Sequence, residues 1–261
     1  MRFILVVVCA IIVIACSRDR VAEEQISVSQ EEPEVFNPED TLNSVKGNLT
    51  LSAIATYPQR VILTGLPQHR LVSVYKRIPK EEKGDRRNWT RDYYSSDGWE
   101  SEEYHHYMPA LDLLYGYNLL NVAHYDMKSE QLNYLFNKPV LVKSIYYPSF
   151  TPDSVGEKPN RKAINRDYFL ISVYDEDTNS DTLINRHDLR RFYHFNASCD
   201  VKTQIIPADH DVIRSQYDID NDVMYIFARH DQNKNGRAED KEPVHVFWLS
   251  LKTPAPAKRM Y

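Results

Sequence analysis

Glycine is scarce, with seven in 261 residues. A chain that turns often must then do so mainly through Asn, Asp and Pro. Cysteine is scarcer still: Cys9, Cys16 and Cys199 are all there are. Cys9 lies in an amino-terminal apolar run and Cys16 at its end. The mature chain therefore has no disulfide framework, and its stability must come from a core. Cys199 reads as a small residue near a strand end, because no histidine in the sequence points to it as a partner. The signatures of common enzymes are missing too: no G-x-S-x-G elbow, P-loop, dinucleotide fingerprint, H-E-x-x-H or C-x-x-C. His105-His106 is the only adjacent histidine pair. Neighbours on a strand point to opposite faces and do not chelate together, so the pair reads as exposed. A formal net charge of -5 gives no argument for nucleic-acid binding.

What is present is a twelve-residue pattern, Asp231-Gln232-Asn233-Lys234-Asn235-Gly236-Arg237-Ala238-Glu239-Asp240-Lys241-Glu242. It meets D-x-[DN]-x-[DN]-G-x5-E at every specified position. A hard cation such as calcium takes six to eight oxygens. Asp231, Asn233 and Asn235 offer side-chain oxygens, Arg237 its backbone carbonyl, and Glu242 two more; Glu239 adds one, often through water. Gly236 suits the sharp positive-φ turn of the sixth position. A second copy begins 54 residues earlier, with Asp177, Asn179, Asp181, Leu183 and Asp188 at the equivalent positions. Ile184 and Asn185 in this copy resemble a dockerin-type calcium loop. Thr182 stands where glycine is expected, at a cost of about 1–2 kcal/mol for a left-handed β-branched residue. Asp188 is shorter than Glu and closes the shell less readily. Polar turns also use Asn, Asp and Gly, but two matches in the same twelve-residue spacing favour a pair of calcium sites, 231–242 the better formed.

The flanks decide what kind of loop this is. An EF-hand carries a helix on each side. Here Tyr168 to Tyr174 and Val223 to Arg229 precede the loops, and both read as short strands buried on both faces. Phe192 to Phe195 and Val244 to Leu249 follow them with a period nearer two. Pro243 favours a strand start over a helix interior. Each loop is therefore expected at the tip of a β-hairpin.

Residues 1–15 read as a signal peptide: Arg2, then an apolar run from Phe3 to Ile14 that is too short to span a bilayer. Val13-Ile14-Ala15-Cys16 resembles the bacterial lipobox, which implies acylation (palmitate among the chains) at Cys16. Ser17 after the cysteine resembles the outer-membrane sorting pattern, so the expected location is the cell envelope, at the outer membrane facing the periplasm. Residues 16–46 are polar and acidic and read as a flexible tether. A single β-rich domain is expected over 47–261.

Within that domain Val61-Ile62-Leu63 and Leu71 to Tyr75 read as strands. Residues 76–103 form a charged excursion of mixed sign, in which Trp89 and Trp99 either make a partner surface or pack over the core. Tyr117 to Tyr125 and Leu132 to Phe136 read as a hairpin, followed by a strand from Val140 to Tyr146. Pro148 to Arg166 reads as a loop carrying Lys158, Arg161, Lys162 and Arg166. Asp218, Asp220 and Asp222 either cluster carboxylates or make the turn into Val223. Comparable strands begin near Leu71, Asn118, Tyr168 and Val223, at spacings of 47, 50 and 55 residues. Propeller blades recur every 40–50 residues or so. Residues 115–251 resemble the TolB-like propeller proteins of bacterial envelopes, whose hairpins carry D-x-N-x-D-G loops. The expected fold is thus all-β, a β-propeller or propeller-like stack of β-meanders with two calcium-loop hairpins. The roughly 210 residues after the tether would make four or five blades. A β-sandwich is the alternative.

Two functions follow from these readings. One is a membrane-anchored calcium-binding lipoprotein acting as a binding or scaffold module for an envelope protein or glycan. The other is an envelope hydrolase in which calcium is structural. The first is preferred, because both ligand sets are closed shells without an open coordination position.

Overall fold

The computed structural model describes residues 24–27, 54–77, 108–149 and 164–261. The signal peptide, Cys16, Trp89, Trp99, His105, His106, Lys158, Arg161 and Lys162 lie outside the described residues, as does most of the tether. Among the described residues there is no helix and every strand pairing is antiparallel.

The strands are β1 (Ile26–Ser27), β2 (Thr56–Leu63), β3 (His69–Lys76), β4 (Leu111–Tyr115), β5 (Leu119–Asp126), β6 (Gln131–Tyr134), β7 (Leu141–Pro148), β8 (Tyr168–Tyr174), β9 (Leu183–Ile184), β10 (Arg191–Asn196), β11 (Lys202–Gln204), β12 (His210–Asp218), β13 (Val223–His230), β14 (Val244–Ser250) and β15 (Lys258–Arg259). They form sheets ordered β2-β3-β5-β6, β11-β10-β8-β7-β4 and β12-β13-β14-β15, with β1 and β9 as a separate pair; none closes on itself.

The five-stranded sheet is the middle layer. All seven residues of β8 are buried. Tyr168 and Leu170 point into a core shared with Met224, Ile226, Ala228, Phe247 and Leu249 of the β12–β15 sheet. Phe169, Ile171 and Val173 point the other way, onto Ile62, Leu71, Leu119 and Val122 of the β2–β6 sheet. That two-sided burial is why β8 is an unbroken apolar and aromatic run.

β13 corrects its sequence reading. It alternates: Met224, Ile226 and Ala228 are buried, and the residues between them are not. Of its outward aromatics, Tyr225 donates its hydroxyl to Asp218 Oδ2 at 3.2 Å and Phe227 lies under a cation. The Arg214 guanidinium sits 3.5 Å from the Phe227 ring centroid, and on β14 Lys258 covers Trp248. The interval from Leu71 to Asn118 is also reinterpreted, because β3 and β5 pair within one sheet and are not equivalent strands of successive units.

Nine described residues take a left-handed backbone, and only Gly236 among them is glycine; Asn118, Ser180, Thr182, Asp222 and Lys234 are among the others. Turns in this glycine-poor chain are made largely by strained polar residues.

Two further departures concern charge. Arg166 is buried rather than free in a loop. It donates to both Asp222 oxygens, at 3.0 and 2.5 Å, and to the Leu251 carbonyl. Asp218 makes the expected turn, accepting from the Asp220 and Asn221 amides, while Asp222 turns inward to Arg166. The tether is not uniformly free of the domain either, for Ile26 and Ser27 pair with Ile184 and Leu183.

Candidate functional site: two hairpin loops

The loops join β8 to β10 and β13 to β14, as expected for hairpin tips. In loop 231–242 the Asp231 carboxylate accepts from the amides of Asn235 (3.1 Å) and Gly236 (2.9 Å). Asn233 Oδ1 accepts from Asn235 and Asn235 Oδ1 from Arg237, each at 2.9 Å. Glu242 spans the loop, accepting from Gln232 with one oxygen and Glu239 with the other, each at 3.0 Å.

Loop 177–188 repeats all six bonds. Asp177 accepts from Asp181 (3.1 Å) and Thr182 (2.9 Å), Asn179 from Asp181 (2.9 Å), and Asp181 from Leu183 (2.9 Å). Asp188 accepts from Thr178 and Asn185, each at 2.8 Å. The backbone repeats as well. The fourth position is left-handed in both (Ser180, φ 60°; Lys234, φ 57°), and so is the sixth (Thr182, φ 70°; Gly236, φ 72°). Thr182 therefore adopts the conformation that glycine would take there without strain. The shorter Asp188 reaches the same two amide positions as Glu242.

The closing carboxylates are withdrawn from water, Asp188 at 1% exposure and Glu242 at 9%. Burial pushes the Asp188 carboxyl above its ordinary range, against four hydrogen bonds that pull it down. Among the described residues no three His, Cys, Asp or Glu side chains converge closely enough to hold a metal by themselves. The donor sets here are of another kind: carboxylate, amide and carbonyl oxygens mixed, as hard cations prefer. Asp177, Asn179, Asp181, the Leu183 carbonyl and Asp188 would hold one ion; Asp231, Asn233, Asn235, the Arg237 carbonyl and Glu242 the other.

The loops also touch. Thr178 Oγ1 donates to the Gly236 carbonyl at 2.7 Å and accepts from the Leu189 amide at 2.9 Å. A Cβ on Gly236 would fall 1.8 Å from the Thr178 carbonyl oxygen. Gly236 is thus required twice, by its backbone angle and by the neighbouring loop.

A second constellation has no local signature. His210, His230 and His245 come from three adjacent strands, and register alone unites them: His210 lies opposite His230, and His245 opposite Ala228. Their ring centroids are 4.8–5.2 Å apart. Asp209 Oδ1 lies 2.6 Å from His210 Nδ1, and His210 Nε2 lies 2.8 Å from His245 Nδ1. Burial would raise the Asp209 carboxyl, but the His210 hydrogen bond holds it below the usual range. Burial lowers the pKa of both His210 and His245, against the opposite pull of Asp209. The ionised carboxylate can only accept, so His210 carries a proton on Nδ1, and with a neutral His210 its Nε2 accepts from His245 Nδ1–H. This relay braces the base of loop 231–242, since the Asp231 amide donates to the Asp209 carbonyl and the His230 amide to the Pro243 carbonyl. Cys199 sits partly buried in the β10–β11 turn, where burial pushes its thiol up and leaves it unreactive.

No protein family, curated protein or solved structure matches the chain. The reading of these loops therefore rests on their own geometry.

Proposed function

We propose that the protein is a calcium-binding lipoprotein of a bacterial envelope, held to the membrane through Cys16 and acting as a binding or scaffold module. The observation that carries the calcium part is the repetition of six hydrogen bonds and two left-handed positions in loops 54 residues apart. Agreement over the whole twelve-residue frame, closing carboxylate included, is what a shared cation-binding loop would produce. The ions would stabilise structure. Each would offset the mutual repulsion of carboxylates gathered at a hairpin tip, and binding to the folded state alone contributes about 2.7 kcal/mol at a hundred times the dissociation constant.

A propeller-like arrangement is the architectural side of this reading. It is supported by three antiparallel sheets of four or five strands, of which β12–β15 is an uninterrupted meander like a blade, while the other two interleave through β4. Attachment at the membrane is supported by the lipobox-like Val13-Ile14-Ala15-Cys16. The partner under this reading is an envelope protein or glycan.

Two measurements test it. Mass spectrometry of the mature amino terminus is expected to find acylated Cys16; an unmodified Cys16 removes the anchor. Calorimetric titration and thermal melting with excess calcium or chelator are expected to show binding, with a lower midpoint in chelator. Asp231→Ala should abolish most of that response. A chain that takes up no calcium and melts identically in both conditions has two ordinary turns.

A further inference from the structure

We infer that residues Glu24–Ser27 are a strap whose docking is coupled to cation binding by loop 177–188, so that calcium sets how far the domain can stand from its anchor. The inference rests on the function proposed above.

The strap is seated by four features. Ile26 is 3% exposed, in a small core with Leu120, Leu141, Tyr174 and Ile184. Glu24 is buried too, paired with Lys143, and accepts from the Asn118 amide at 2.7 Å. Lys76 Nζ donates to the Gln25 carbonyl at 3.3 Å. The backbones of Ile26 and Ser27 pair with Ile184 and Leu183.

The last feature makes the coupling. Leu183 and Ile184 are the seventh and eighth residues of the loop, and the Leu183 carbonyl is one of its cation donors. The edge that receives the strap is therefore part of the shell that receives the ion. Ile184 belongs at once to the loop and to the strap's core. Fixing Leu183 as a ligand orders the edge on which Ser27 sits, and a docked strap holds Leu183 in place for an ion. The effect must be reciprocal by linkage. Loop 231–242 has no strap on it among the described residues, so the effect should fall on one site only.

The consequence is geometric. Glu24 lies eight residues beyond Cys16, whereas Ile54, where the described chain resumes, lies 38 beyond it. At 3.3–3.6 Å per residue, a docked strap limits the anchor to at most ~29 Å from Glu24, whereas the contour length of chain up to Ile54 is at most ~137 Å. An acidic stretch that reads in sequence as a plain spacer thus becomes a tether of two lengths.

The test uses the full chain in detergent micelles. Hydrogen–deuterium exchange of the wild type is compared in calcium and in chelator, and calcium is titrated calorimetrically into wild type and Ile26→Asp. We expect chelator to deprotect the peptide covering Glu24–Ser27. We expect Ile26→Asp to weaken one of the two sites by about tenfold, within the usual 5–150-fold range of couplings, and to leave the other unchanged. The affected site should be the one that Asp177→Ala removes. Wild type that binds two calcium ions with no change in strap exchange overturns the strap and leaves the calcium reading standing. Wild type that binds no calcium overturns both. The exchange experiment needs no variant, so a misfolded Ile26→Asp does not remove the test.

Discussion

Thr178 Oγ1 lies 2.7 Å from the Gly236 carbonyl, a side chain of one hairpin loop donating to the backbone of the other. The bond ties the tip of the middle sheet to the tip of the β12–β15 sheet. Thr178→Val keeps the shape and removes the donor. The expected cost is about 0.5–1.5 kcal/mol, since a partly buried carbonyl and the Leu189 amide both lose a partner. Urea unfolding measures it. A variant as stable as wild type would show that the loops are merely adjacent.

The sixth loop positions should respond in opposite directions. Gly236→Ala adds the left-handed penalty of about 1–2 kcal/mol and a collision with the Thr178 backbone, so melting should fall and calcium affinity at 231–242 with it. Thr182→Gly relieves a β-branched residue at φ 70°. Its cost in unfolded-state entropy is about 0.5–1 kcal/mol, so melting should change little, while calcium affinity at 177–188 should rise. Paired calorimetric titrations of the two variants check both directions.

Arg166 and Asp222 are expected to be the most sensitive ion pair outside the loops. Arg166→Met leaves a carboxylate at 7% exposure with Tyr217 as its remaining side-chain donor among the described residues. Breaking a buried pair from one side costs about 3–5 kcal/mol. Replacing both, as Arg166→Met with Asp222→Asn, should recover part of the loss. Denaturant midpoints of the single and double variants give the coupling.

His124 predicts an acid limb to stability. It is 2% exposed, and its Nε2 lies 2.9 Å from Nδ1 of His69. Burial lowers its pKa, and His69 adds to the effect against the opposing charges of Asp126 and Asp200. Above the ordinary imidazole range neither folded nor unfolded chain is protonated there, and nothing is lost. As pH falls through about 6.5, the unfolded chain gains a proton that the folded one resists, and stability declines. His124→Gln should flatten that decline between pH 8 and pH 5. An equal slope in both proteins would place the acid sensitivity elsewhere.

These effects were unequally legible in the residue order. The place of the loops at hairpin tips was readable because their turns are built from local spacing, and Asp177 to Asp188 carry their hydrogen-bond geometry within twelve residues. β8 was readable because burial on both faces leaves no polar positions. β13 misled for a physical reason: Tyr225 and Phe227 are aromatic yet face outward, Phe227 beneath the Arg214 guanidinium and Tyr225 tied by its hydroxyl to Asp218. The pairing of β3 with β5 was hidden by a spacing that mimics a repeat. The relay of Asp209, His210 and His245 was invisible, because the contact arises only when three strands align in register. Arg166 looked like one more loop cation, since its partner Asp222 is 56 residues away.

The middle position of β8 has a consequence for synthesis. Its strand is complete at Tyr174, but the sheet that covers Tyr168 and Leu170 ends its buried run at Leu251. Nearly eighty further residues must emerge before that face is sealed. Until then an apolar strand with aromatic residues stands open on one side, a surface on which incomplete chains can aggregate. That interval is when a holding chaperone has most to protect.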